Sequence, residues 1–198
     1  MNRSIFLFLL LLSSAFLFSS EVDGQDGFVP APASLAGQDY FSAMADQDSN
    51  VREYLRLVTL AHVETIPKWM NQGRMNDALA DLRYALDRFP NHPLALQQLS
   101  MVTQIMKKPG VATSYFERAV TLYPQYAITR VQYGLFLVSI DRVDEGIDRF
   151  KQATTIDPKL AAAYAGLARA YQKKNDLAHA REAATKAREL GFTAKLID

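Results

Sequence analysis

Alanine recurs at Ala85, Ala119, Ala153 and Ala187, and proline at Pro90, Pro124 and Pro158, both in steps of 34 residues. A period of that length holds two helices and a turn. One such unit cannot bury its own apolar face, so copies must stack on one another to make a continuous core. The last copy shows the pattern most plainly. Tyr164, Leu167, Ala168 and Tyr171 share one face of a first helix, and Asn175-Asp176 breaks the run. Leu177, Ala180, Ala184, Ala187 and Leu190 then share one face of a second helix.

Superposed at 34-residue steps, the copies occupy 59–92, 93–126, 127–160 and 161–194. The second helices carry a column of small residues, Ala78, Ala112, Gly146 and Ala180, which permits close helix approach. One turn on stand Leu82, Phe116, Phe150 and Ala184, the larger ones filling the space towards the next hairpin. The first helices contribute Thr65, Leu99, Tyr133 and Leu167, then Ile66, Ser100, Gly134 and Ala168, then Trp69, Thr103, Leu137 and Tyr171. Leu79, Thr113 and Ile147 give way to Arg181 in the last copy, and Leu86, Val120 and Thr154 to Arg188. A terminal copy needs such a polar outer face, and Gly191 is placed to end its helix.

These columns resemble the tetratricopeptide repeat (TPR) family over about 136 residues, closely for 127–194, less so for 93–126 and least at His62, Thr65 and Pro67. The segment from Arg52 to Leu96 also resembles a group of exported bacterial TPR proteins. The resemblance implies an all-α, right-handed superhelical stack of about four helix hairpins behind a disordered N-terminal leader. It further implies a concave working surface lined by the first helices, and a scaffolding role in cell-envelope assembly such as polysaccharide export, pilus or outer-membrane biogenesis. Members that bind chaperone C-termini use Lys, Asn and Arg in the groove. The matching positions here are mostly aliphatic or Gln, which disfavours that role.

Read in order, Met1–Ser20 has Arg3 followed by the 14-residue apolar run Ile5–Phe18. That is the layout of a secretory signal peptide and short for a spanning helix, with cleavage after Gly24 or Ser20 and an uncleaved anchor as the alternative. Residues 25–49 read as an acidic Pro/Gly/Ala linker, and 50–194 as the TPR domain with a tail at 195–198. The helical stripe starts near Asp48-Ser49-Asn50, and Pro67 kinks or splits it. From Glu21 to Asn50 there are six acidic residues and no Lys or Arg; from Val51 on, 21 basic and 15 acidic residues leave +6. The basic residues are interleaved with acidic ones, which argues against nucleic-acid binding.

With no cysteine, disulfides and thiol chemistry are excluded. His62, His92 and His179 lie far apart with no paired metal-ligand spacing, and no glycine-rich phosphate loop occurs. We therefore expect a non-catalytic protein with no cofactor or metal. Asp144 and Glu145 are expected to cap a helix, and Arg130 to snorkel or to pair with an acid such as Asp157. The expected groove is apolar and amide-rich along Met101, Gln104, Val131, Leu135 and Val138, then basic at Arg169, Gln172 and Lys173. It suits a protein or peptide segment with apolar anchors and a carboxylate. Phe28 and Val29, or Tyr40 and Phe41, are placed to plug an apolar surface of the same or a neighbouring molecule, and the alternative function is self-assembly through the Phe28–Phe41 segment docked on a neighbour.

Overall fold

The structure is a computed structural model that describes residues 37–196. The expected signal peptide, residues 25–36 of the linker and the last two tail residues lie outside the described residues. Ten helices occur among those described: α1 (Tyr40–Ala45), α2 (Ser49–His62), α3 (Ile66–Asn71), α4 (Met75–Arg88), α5 (Pro93–Ile105), α6 (Pro109–Leu122), α7 (Ala127–Ser139), α8 (Val143–Ile156), α9 (Ala161–Lys173) and α10 (Leu177–Glu189). The starts of α5, α7 and α9 are 34 residues apart, as are those of α4, α6, α8 and α10. Helices α5–α6, α7–α8 and α9–α10 form hairpins. In the first copy the Pro67 ring ends one helix and opens another: α2 stops at His62, and Pro67 stands in the first turn of α3.

The turn inside every hairpin repeats one device. Gly73, Lys107, Asp141 and Asn175 all take positive φ (71°, 56°, 68° and 62°). The next residue in each case sends its amide back to Trp69, Thr103, Leu137 or Tyr171 at 2.8–2.9 Å. This closes the helix with a six-to-one bond, leaving only three residues before the next helix. The left-handed conformation disfavours Lys and Asp, yet the loop length imposes it in copies two and three.

Packing follows the small-residue columns. Ala78, Ala112 and Ala180 are fully buried. Phe150 is wedged between two glycines: a Cβ on Gly134 would come within 2.6 Å of its ring, and one on Gly166 closer still. Only glycine lets α7 and α9 close on that ring. One copy earlier, Phe116 stacks on Tyr133 at 5.1 Å and on Phe136 at 5.4 Å. At the far end, Arg181 and Arg188 are exposed. The tail is not bare, because Leu196 is buried in the core of the last two hairpins, where Phe192 also packs.

Within the expected linker, the described stretch 37–49 contains the short helix α1. Asp39 caps α1 and organises its docking on the loops between hairpins. Its carboxylate accepts from Tyr126 Oη (2.6 Å), Asn91 Nδ2 (2.7 Å), Ser42 Oγ (2.7 Å) and the Phe41 amide (3.1 Å). Burial pushes its pKa up, but these four donors outweigh that, and it stands below the ordinary carboxylate value. The Gly37 and Gln38 amides cap the last carbonyls of α4 at Asp87 and Arg88 (2.9 and 2.7 Å), and the Tyr123 hydroxyl bonds the Gly37 carbonyl. Tyr40 packs at a tilt against His92 and Phe41 against Tyr126, each with ring centroids 4.4 Å apart. Tyr40 and Phe41 thus dock on their own chain, which removes them as free plugs for a neighbour; Phe28 and Val29 lie outside the described residues.

Candidate functional site

Helices α5 and α7 run side by side, and between them lies a groove of about 350 Å³. Gln97, Ser100 and Met101 form one wall and Gln132, Leu135, Phe136 and Ser139 the other, with Phe116 of α6 at the floor. Met101 and Leu135 are each 42% exposed, although both are large and apolar. The floor is rigid, because Phe116 is fully buried and stacked on two other rings. The rim is polar and uncharged. Ser139 Oγ donates to the Phe136 carbonyl (2.6 Å) and towards Gln104 Oε1 (3.3 Å). Gln104 Nε2 donates to the Ser100 carbonyl (3.0 Å). Gln132 Nε2 donates to the Pro93 carbonyl (3.0 Å), and its Oε1 is buried without a partner. An apolar slot with amide edges suits an uncharged, extended or helical segment that inserts large side chains and offers backbone groups to the glutamines.

The expected groove residues divide. Met101 and Leu135 line the groove and Gln104 braces its rim. Val131 is 2% exposed and belongs to the core of the last two hairpins, with Val138 packed against it. Val138 also meets α8, since a Cβ on Gly146 would lie 2.6 Å from its Cγ2. Val131 is therefore corrected from groove to core, and Val138, half-buried, packs at the edge of that core. The reason is geometric: two parallel helices line a groove with their facing flanks, so apart from the shared position of Met101 and Leu135, α5 presents Gln97 and Ser100 while α7 presents Gln132, Phe136 and Ser139. That difference also explains why the sequence pattern does not single out Gln132, Phe136 and Ser139. Their spacing of three and four residues, matching Gln97, Ser100, Met101 and Gln104 on α5, is the available signal.

The residues of the expected basic end lie on α9. Arg169 and Gln172 are exposed, and the Arg169 guanidinium sits 5.9 Å from the Phe192 ring. Lys173 Nζ donates to the Val138 carbonyl (2.8 Å) and pairs with Asp141 (3.1 Å), tying α9 to the end of α7. Arg130 is half-buried and donates to the Pro124 carbonyl (2.6 Å) rather than to Asp157. Burial foremost, with Arg149 nearby, lowers its pKa. Asp144 and Glu145 lie in the first turn of α8, but the N-cap is Arg142, which pairs with Glu145 (2.5 Å).

Each histidine is accounted for structurally. His92, 2% exposed, caps α5: its Nδ1 accepts the Ala95 amide (3.3 Å), so Nε2 carries the proton and donates to Thr59 Oγ1 (3.1 Å). Burial lowers its pKa to about 4, so the neutral ring is the capping form. His62 Nδ1 meets Asp81 Oδ1 (2.9 Å), whose other oxygen accepts from Trp69 Nε1 (2.8 Å). His62 Nε2 is buried without a partner. This ties α2 and α3 to α4 across the break at Pro67. His179 is exposed, pairs with Asp176 (2.6 Å) and stacks on Tyr171. Among the described residues no group of three or more His, Cys, Asp or Glu could hold a metal ion. Nor is any described helix long and apolar enough to cross a membrane.

Helix hairpins of this length, closed by one turn and stacked at a 34-residue register, define the tetratricopeptide-repeat fold, and the chain has that fold. Its likeness to solved structures agrees. MamA superposes with a TM-score of 0.51 at 22% identity, covering 76% of this chain and 84% of MamA. PilF of Pseudomonas aeruginosa gives 0.53 at 23% identity, covering 69% and 63%. YrrB, a TPR protein with an unusual peptide-binding site, gives 0.50 at 22% identity, covering 72% and 80%. Among curated proteins, DnaJ homolog subfamily C member 3 of Mus musculus and of Homo sapiens is 27% identical over 97 residues. That match takes in 49% of this chain but 19% of those relatives' length. No protein-family model matches the chain.

Proposed function

We propose that this chain is a non-catalytic scaffold that holds a segment of a partner protein in the α5–α7 groove. One observation carries the reading: Met101 and Leu135 face each other, half in solvent, over a fixed aromatic floor. Holding two large apolar side chains in water is a cost that a bound segment removes, at about 25 cal/mol per Å² covered. YrrB supports peptide binding on this fold without fixing the partner here. Arg3 and the apolar run Ile5–Phe18 support export, and with it a periplasmic or extracellular place of work.

The test is site-specific photo-crosslinking in the native host, with a benzophenone side chain at Leu135 and, as control, at exposed Thr121 on α6. We expect discrete adducts from Leu135 that disappear when Met101→Glu is added, with the thermal melt unchanged. Equal adducts from both positions, or adducts indifferent to Met101→Glu, refute the groove reading.

A further inference from the structure

A second cleft lies on the last hairpin, on the face of α9 opposite Arg169 and Gln172. It encloses about 620 Å³ between α9 and α10. Tyr164, Leu167 and Tyr171 form its floor, and Ala183 and Glu182 stand on its wall. The chain's other hairpins show what normally fills this place. The residue 34 positions before Ala183 is Arg149, whose guanidinium lies 4.8 Å from the Tyr133 ring centroid. Tyr133 is in turn the counterpart of Leu167. One copy earlier Tyr115 packs half-buried on the core, and in the first copy Asp81 bonds His62 and Trp69, the counterparts of Tyr164 and Tyr171. In every earlier copy, then, a longer side chain at this position packs back against the stack. Only Ala183 is too short, and the cleft is the space it leaves.

We infer that this cleft takes an arginine side chain of a partner protein, seated over Leu167, the counterpart of the Tyr133 beneath Arg149, and between Tyr164 and Tyr171 one turn to either side. Tyr164 and Tyr171 line the cleft, and Tyr171 is fixed by His179 stacked at 5.0 Å. A guanidinium over such rings gains cation–π attraction. The charges facing it are mixed. Glu182 has no ion-pair partner among the described residues, Glu189 is shared with Lys186 (3.1 Å), and His179 is held by Asp176. Beyond the tyrosine end, Lys174 is paired with Asp144. The carboxylate open to a new cation is Glu182. This site is separate from the α5–α7 groove, and its outcome does not depend on the groove reading.

The experiment uses the full-length protein with 13C-labelled tyrosine rings, titrated with acetyl-Gly-Ser-Arg-Ser-Gly-amide and with its citrulline counterpart, which has nearly the same shape but no charge. We expect the Tyr164 and Tyr171 signals to shift and saturate with the arginine peptide, at least tenfold more tightly than with citrulline. Ala183→Arg should place the chain's own guanidinium in the cleft and abolish the shifts. Glu182→Gln should weaken binding severalfold and leaves the test intact if Ala183→Arg does not fold. Equal response to both peptides, shifts that never saturate, or affinity unchanged in Glu182→Gln overturns the inference.

Discussion

Replacing Gly166 by alanine tests the packing that sets the whole stack. Glycine inside a helix costs about 1 kcal/mol relative to alanine, so a helical glycine in open space should stabilise when replaced. Gly110 in α6 is such a site, with nothing within 4 Å of where an added methyl group would sit, and Gly110→Ala should raise stability by up to about 1 kcal/mol. Gly166 must behave oppositely. Its added Cβ would press into the Phe150 ring, well inside ordinary contact. The ring cannot retreat, because Gly134 bounds it as well, at 2.6 Å from an added Cβ, and Phe150 is fully buried. Overpacking of a filled core costs about 1–3 kcal/mol, and this overlap belongs at the upper end. Net of the helix gain, Gly166→Ala should destabilise by about 2 kcal/mol, a drop of roughly 4–8 °C in melting temperature for a domain of this size. The assay is a double-mutant cycle by thermal and urea unfolding. Phe150→Leu alone should destabilise by about 1 kcal/mol, but added to Gly166→Ala it should restore stability, giving a coupling above about 1 kcal/mol. A rise in melting temperature for Gly166→Ala, or no coupling to Phe150→Leu, would refute the wedge.

Because the His92 pKa is lowered to about 4 from 6.5, the unfolded chain binds the extra proton between those values. Stability should therefore be full above pH 6.5 and fall by on the order of 3 kcal/mol as pH drops to 4. Urea midpoints across that window, with His92→Asn (a cap that does not titrate) flattening the response, check it. Asp39→Ala removes the acceptor of four donors at the α1 clasp. Hydrogen exchange should show α1 and the start of α7 losing protection while α8–α10 stay unchanged, since the clasp reaches no further than Tyr126. Asp81→Ala strands His62 Nδ1 and Trp69 Nε1 and should cost about 2–3 kcal/mol by calorimetry, whereas Asp81→Asn should cost less.

The sequence carries the register of the stack but not the orientation of every side chain on it. Ala78, Ala112, Gly146 and Ala180 read as a close-packing column because small residues at one period have few other uses. The break between α2 and α3 is signalled by Pro67, though a kink and a split leave the same mark on a linear pattern. Helix α1 is hidden, since a six-residue helix in a Gly/Ala/Asp-rich stretch has no local stability. It is held by Tyr126 and Asn91, more than 50 residues away. Val131 and Val138 mislead because an aliphatic residue fits core and groove equally well in a one-dimensional pattern. The contacts of Lys173 with Asp141 and the Val138 carbonyl lie across a hairpin boundary, where a linear pattern gives no sign of them.

If partners are bound between α5 and α7, hydrogen exchange of the full chain, alone and with the partner trapped at Leu135, addresses that binding most directly. The prediction is new protection confined to residues 97–104 and 132–139, insensitive to salt because no charged side chain lines that groove. Protection centred instead on α8 or α10, or binding that fades as salt is raised, would contradict it.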